Sequence, residues 1–246
     1  MWTPDQYERF KDERAQPFRD LMALIEPRPH MRIADLGCGT GELTRELHEH
    51  LAAEESVGID SSETMLLKSG AFGGAMVRFE QGTIEAFVAD RPFDLVFSNA
   101  ALHWIAEHES LFRRLTGFLS HEGQLAVQMP MNDDHPSHVI AAELAREYGI
   151  EPRHAPLLAP ERYASLLHEL GFKRQHVRVE IYGHLLNESR DVVEWVRGAL
   201  LTDYERRLGD AFPKFLDDYT RRVVATLGEQ RPFFYTYKRI LIWGTF

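Results

Sequence analysis

Apolar runs alternate with stretches of helical periodicity between residues 30 and 130. The runs are Ile33-Ala34 with Leu36, Val57-Gly58-Ile59, the alternating Met76-Val77-Arg78-Phe79-Glu80, Phe93 to Asn99, and Gln124 to Met129 before Pro130. Between them Leu43, Leu47 and Leu51 recur at helical spacing, as do Leu111, Phe112, Leu115 and Leu119. Met65, Leu66 and Leu67 are expected to pack inward from a helix that Ser61 or Ser62 caps. Strand alternating with helix predicts an α/β fold with a doubly wound parallel sheet, and right-handed crossovers leave few topologies.

Outside that block the pattern is more helical. Residues 4–26 read as a helix with Thr3 as N-cap, Pro4 at its first position and Phe18, Leu21, Met22 and Ile25 on its apolar face. Tyr7, Phe10 and Arg14 share one side. They either pack on the sheet as a surface helix or form a lid, with Arg14 facing an anionic ligand. After Pro130 a turn-rich joint at Asn132 to Pro136 leads to a helix at 137–148. A helix at 160–170 ends at Gly171, a good position for a left-handed terminal residue. Residues 173–182 and 233–243 read as strands, and 189–227 as two helices. We expect one domain over 1–246, with a core at 30–130 and lid or cap elements at 1–29, 131–150 and 184–227.

The chemistry concentrates at Asp35-Leu36-Gly37-Cys38-Gly39-Thr40-Gly41, a glycine-rich turn between the first strand and its helix. A missing Cβ lets a ligand approach the main chain, and the carboxyl end of a parallel strand is where open α/β sheets bind ligands. The spacing is G-x-G-x-G, whereas the dinucleotide fingerprint wants G-x-G-x-x-G. Asp60 closes the second strand about twenty residues on, where an acid accepts hydrogen bonds from ribose hydroxyls. The pair fits a nucleoside-containing ligand without demanding a pyrophosphate. For the glycines alone, an ordinary tight turn is the bland alternative.

Composition narrows the partners. The 246 residues are 44% hydrophobic, enough for a substantial core, and the net charge of −10 lacks the basic footprint of a nucleic-acid binder. Cys38 is the only cysteine, so no internal disulfide forms, which suits a reducing compartment. It reads as a small residue packed under the ligand. Nothing has the length of a membrane span and the N-terminus is too polar for a signal peptide, so a cytoplasmic protein, monomer or homodimer, is expected. His135-x-x-His138 has no third ligand beside it, and no metal site is expected.

DLGCGTG followed by GID resembles the first two motifs of class I S-adenosylmethionine-dependent methyltransferases. Asn99-Ala100-Ala101-Leu102-His103-Trp104 resembles the fourth, beside the methyl-donating sulfur. The resemblance implies a Rossmann-like, mostly parallel seven-stranded sheet with a helical cap, S-adenosylmethionine as cofactor and S-adenosylhomocysteine as product. It implies Gly37, Cys38, Gly39 and Gly41 beside the methionine and ribose portions, Asp35 holding the amino group and Asp60 the ribose. Ser61 and Ser62 would line the adenine, Thr83 and Ile84 its edge, and Asn99 would offer a carbonyl to the methionine amine. Thr83 stands where the superfamily usually has an Asp.

Tyr7-x-x-Phe10-x-x-Glu13-Arg14-x-x-Pro17 and Leu125-Ala126-Val127-Gln128-Met129-Pro130 resemble the trans-aconitate methyltransferases more narrowly, as does Trp195-Val196 downstream. That family continues after the Trp-Val pair into Gly-Leu-Arg-Pro. This chain has Leu200, Leu201, Thr202 and Asp203, and Gln16 stands where the family often has a second Arg. The resemblance implies an O-methyltransferase esterifying a small carboxylic acid, trans-aconitate or a related polycarboxylate. The alternative is a carrier-bound acyl chain or another small acceptor. A nucleoside-binding protein without catalysis and a nicotinamide dehydrogenase fit the glycine turn and the Asn99-to-Trp104 segment less well. Catalytic candidates are His103, Trp104 and Tyr7, and substrate candidates are Tyr7, Arg14, Trp104, Lys238 and Arg239. An ionised carboxylate needs no general base. His103 is the candidate base for any other acceptor, and otherwise orders the turn after the fourth strand.

Overall fold

The computed structural model describes residues 11–152 and 157–246, and the side chains of residues 11–14 and of Ala199 lie outside that description. Thr3, Pro4, Tyr7, Phe10 and the Arg14 side chain therefore fall outside the described residues. Two compact units emerge: a larger one of residues 14–130, 157–180 and 239–246, and a smaller one of residues 11–13, 131–152 and 181–238.

The larger unit is built on a seven-stranded sheet. Its strands are β1 (Arg32–Leu36), β2 (Glu55–Asp60), β3 (Val77–Gln81), β4 (Phe93–Asn99), β5 (Leu119–Pro130), β6 (Arg174–Leu186) and β7 (Phe233–Thr245). The last two run on into the smaller unit at residues 181–186 and 233–238. The order is β3-β2-β1-β4-β5-β7-β6. β1 to β5 pair in parallel, and β7 runs antiparallel to β5. Every residue of β1 is buried, as a strand covered on both faces requires. The chain steps outward from β1 through β2 to β3, then returns to β4 on the other side. That reversal makes a crevice at the carboxyl ends of β1 and β4.

Helices α1 (Lys11–Met22), α2 (Glu42–His50), α3 (Glu63–Ser69) and α4 (His108–Thr116) form where the periodicity predicts, except that Leu119, read at helical spacing, opens β5 after Gly117 ends α4. Phe18, Leu21, Met22 and Ile25 pack with Ile33, Leu95, Phe97, Ala126, Leu241 and Trp243, and the Phe18 and Phe97 rings meet edge to face at 5.1 Å. Leu67 departs from expectation at 78% exposure. In so short a helix only Met65 and Ser69, four residues apart, share the inward face.

The smaller unit contains α5 (Pro136–Glu147), and α6 (Pro160–Glu169) returns to the larger unit, with Gly171 in the left-handed region just after it. The two helices expected over 189–227 are three: α7 (Asp191–Val196), α8 (Thr202–Leu208) and α9 (Phe212–Leu227), with a π-helical turn at Arg197–Leu201 between the first two. Their core joins Ile140, Leu144, Val192, Trp195, Phe215 and Tyr235. Among the described residues no helix is long and apolar enough to cross a membrane.

Candidate active site

The predicted glycine turn is built as the sequence reads. Gly37, Gly39 and Gly41 all have φ between 58° and 84°, a region that side-chain-bearing residues rarely enter. Space excludes side chains as well. A Cβ on Gly37 would stand 2.2 Å from the Ala101 Cβ, and one on Gly41 2.5 Å from the Phe79 ring. The turn is tied to β2 by the Gly37 and Cys38 N–H groups, both donating to the Ile59 carbonyl at 2.8 and 3.0 Å. Cys38 is buried and free. Burial and then the nearby Asp35 and Asp60 charges push its thiol up, so it stays protonated.

Asp60 sits at the end of β2 with both oxygens engaged. Oδ2 accepts the Gly39 N–H and Oδ1 the Ser62 N–H, each at 2.8 Å. Each oxygen keeps a further lone pair, the acceptor set that a vicinal diol matches. The Ser62 hydroxyl meanwhile accepts the Met65 N–H and caps α3, and Ser61 is exposed beside it.

Asp35 is buried inside β1, its carboxylate accepting from the Thr44 hydroxyl at 2.6 Å. Burial raises its pKa to about 7, the Thr44 bond lowers it and the Asp60 charge raises it further. This is the acid that a ligand ammonium would ionise. Thr44, one turn into α2, is a site residue that the spacing did not reveal, because helical periodicity marks it only as an inward position.

Thr83 is exposed, and its hydroxyl accepts the Ala86 N–H at 3.2 Å. Ile84 is buried next to it. Arg114 on α4 donates to the Ile84 and Phe87 carbonyls and fixes this loop. It lies thirty residues from Ile84, and no local motif announced it.

At the end of β4, Asn99 has a buried side-chain oxygen with no partner among the described residues. Ala100 then adopts φ 55°, a strained conformation for a residue with a Cβ. It turns the chain into the 3₁₀ segment Leu102–Trp104. His103 is buried and Trp104 is 44% exposed, their ring centroids 5.1 Å apart. His108 supports this segment. Its Nε2 lies 3.1 Å from the Leu102 carbonyl and its Nδ1 2.5 Å from the Tyr163 hydroxyl. A carbonyl only accepts, so Nε2 carries the proton and Nδ1 accepts from Tyr163.

Of the substrate candidates, Arg239 is buried on β7. The Lys238 ammonium is engaged by Asp134. Asp203, the acid in the departure from Gly-Leu-Arg-Pro, accepts from Arg206 and Arg207 on its own helix at 2.6 and 3.1 Å. Leu200 and Leu201 are buried in the core of the smaller unit. His135 caps α5 by accepting the Ser137 N–H. Among the described residues no group of three or more potential ligands could hold a metal ion.

Residues 34–127 match the family described as a methyltransferase domain. The trans-aconitate 2-methyltransferase of Deinococcus radiodurans is 39% identical, the alignment covering 99% of this chain and 98% of that protein. The protein of the same name from Rhizobium etli is 37% identical over 92% of this chain and 90% of its own. Among solved structures, the YcgJ protein of Bacillus subtilis superposes with a TM-score of 0.62 at 19% identity, covering 94% of this chain and 98% of that one. Haemonchus contortus phosphoethanolamine N-methyltransferase 2, solved in complex with S-adenosyl-L-methionine, gives 0.58 at 16% identity over 94% of this chain and 52% of that one. At such identities these structures share the fold.

Proposed function

Because this chain belongs to the trans-aconitate 2-methyltransferase family of S-adenosylmethionine-dependent methyltransferases, we propose that it forms a monomethyl ester of trans-aconitate. The similarity to the Deinococcus protein along essentially both whole chains carries this reading.

The residues present fit the methyl donor. The glycine cradle leaves no room for a Cβ at Gly37 or Gly41, Asp60 keeps acceptor capacity for a diol, and Asp35 is an acid poised to pair with an ammonium. When bound, S-adenosylmethionine supplies a sulfonium methyl group open to in-line displacement. The chain's own part is placement. Asp60 orients the ribose through oxygens that Gly39 and Ser62 already hold in position. Asp35, steadied by Thr44, answers the amino group. Ser61 and Ser62 would line the adenine, and Thr83 with Ile84 its edge.

Carboxylic acids titrate near pH 4, so the acceptor arrives ionised and His103 need not take a proton. Its place in the 3₁₀ turn, braced through His108 and Tyr163, suits a role in aligning Trp104 and the acceptor. Near-attack alignment is worth several orders of magnitude in rate. Arg239 supplies positive charge to a polyanionic acceptor; Tyr7 and Arg14 are further substrate candidates from the sequence alone, and Lys238 would first have to leave Asp134.

One observation favours a second acceptor. Where the family has Gly-Leu-Arg-Pro, this chain has two core leucines and a threonine whose hydroxyl donates to the Arg197 carbonyl at 3.2 Å. The loss of that Arg points to an acid with fewer carboxylates. The test is incubation with trans-aconitate and a labelled donor, followed by product analysis. A monomethyl ester is expected. No ester from a protein that still binds S-adenosylhomocysteine would transfer the proposal to another acid.

A further inference from the structure

Two glutamines sit on one face of β5, four residues apart, and meet opposite fates. The Gln124 Oε1 accepts the Glu26 N–H at 2.9 Å and the Trp243 indole N–H at 3.0 Å, and its Nε2 donates to the Glu26 carbonyl at 2.8 Å. Gln128 is equally buried, at 0% exposure, yet neither its Oε1 nor its Nε2 has a partner among the described residues. A desolvated, unbonded amide is costly, and native folds keep few of them.

Its position says what it is kept for. Alternation along the strand puts Gln124, Ala126 and Gln128 on the same face. The register sets Gln128 beside Asn99 of β4 and Leu241 of β7, and sets Arg239 across from Pro130 on that face. Gln128 is therefore at the carboxyl end of β5, next to the crevice end of β4. The buried oxygen of Asn99 is likewise unbonded, and Arg239 is 6% exposed. Gln124 lies at the far end, where no ligand is expected, and there the fold satisfies the amide itself.

We propose that Gln128 is a specificity-determining residue, its Nε2 group donating to a carboxylate of the methyl acceptor beside the charge of Arg239. This rests on the reading of the acceptor as a small carboxylic acid. An ionised carboxylate offers only acceptor lone pairs, so the amide nitrogen is the atom that meets it. A neutral donor adds direction without further charge, and a substrate lacking a carboxylate at this point leaves the amide unsatisfied. Sites that hydrogen-bond a polar group reject analogues without it strongly.

The test compares Gln128→Met, Gln128→Glu and Gln124→Met with the wild type. Gln128→Met conserves volume and removes the unbonded amide, so the free protein should melt at the same temperature or higher. S-adenosylhomocysteine affinity by calorimetry should be unchanged, and KM for the acid should rise roughly ten- to a hundred-fold. Gln128→Glu should raise KM further by repelling the carboxylate, and it carries the test if the Met variant does not fold. Gln124→Met should lower the melting temperature and leave KM alone. An unchanged KM in both Gln128 variants overturns the proposal, as does a parallel loss of S-adenosylhomocysteine affinity. The wild type is first screened against a panel of di- and tricarboxylic acids. If trans-aconitate is inert and another acid is esterified, the acceptor reading alone fails and the comparison is run on that acid. Turnover of no carboxylic acid overturns both.

Discussion

The carboxyl group of Asp35 is buried in β1 against the Thr44 hydroxyl, and burial lifts its pKa from 3.8 to about 7. Between these two values the folded, ligand-free protein holds a proton that the unfolded chain has released. This residue's contribution to stability is therefore most favourable below pH 4 and is lost as pH rises toward 7, by up to about 4 kcal/mol. Asp35→Asn should remove that slope. Its unfolding free energy, measured in denaturant from pH 5 to 8, should gain on the wild type as pH increases, while affinity for S-adenosylhomocysteine drops. Parallel pH profiles for the two proteins would show that Asp35 is ionised in the free enzyme. On the proposed reading of the site, the position trades stability for a charge that would appear when the amino group of the methyl donor arrives.

The ends of the parallel strands divide the labour. At the carboxyl ends lie the glycine turn, Asp60 and the Asn99-to-Trp104 segment. At the amino ends Arg32, the first residue of β1, bonds Glu55, the first of β2, at 2.5 Å, and Asp90 at 2.6 Å. Its guanidinium lies 4.0 Å from the Phe93 ring centre. Arg78 and Arg91 also converge on Glu55. Both Arg32 and Glu55 are largely withdrawn from water, so removing the Glu55 charge leaves a buried guanidinium that, among the described residues, only Asp90 still pairs. Glu55→Gln is expected to cost about 2 kcal/mol in denaturant unfolding, the scale of a lost hydrogen bond to a charged group, with S-adenosylhomocysteine affinity by calorimetry unaltered. A variant that loses cofactor affinity as much as stability would break this separation of strand ends.

Each unit of the molecule has its own apolar core, yet the chain passes repeatedly between them, and β6 and β7 each contribute residues to both. Neither unit can be completed before late parts of the chain are in place. We therefore propose that residues 1–246 unfold as one cooperative domain. Trp195 reports on the smaller unit and Trp243 on the larger. Variants whose single remaining tryptophan is Trp195 or Trp243, with Trp2 and Trp104 also replaced, should give coincident fluorescence transitions in urea. Separated midpoints would divide the chain into two domains.

Much of this was legible in the amino-acid order, for a local reason. Apolar alternation marked the strands, and backbone angles open to glycine marked the turn; both depend on residues adjacent in the chain. The bounds of β4 were read without error because its apolar run is short and sharply flanked. The segment after Leu186 was harder to read, because a π-helical turn interrupts the helical period between α7 and α8. Long-range pairing was out of reach. The Lys238 ammonium is held by an acid 104 positions away, and burial raises the Asp35 pKa against the Thr44 hydrogen bond that lowers it. Gln124 and Gln128 read alike in the sequence, but Glu26 and Trp243 fold back onto one of them only. Chain order specifies which conformations a segment can adopt. Which polar groups find partners, and which are left for a ligand, depends on distant segments meeting in space.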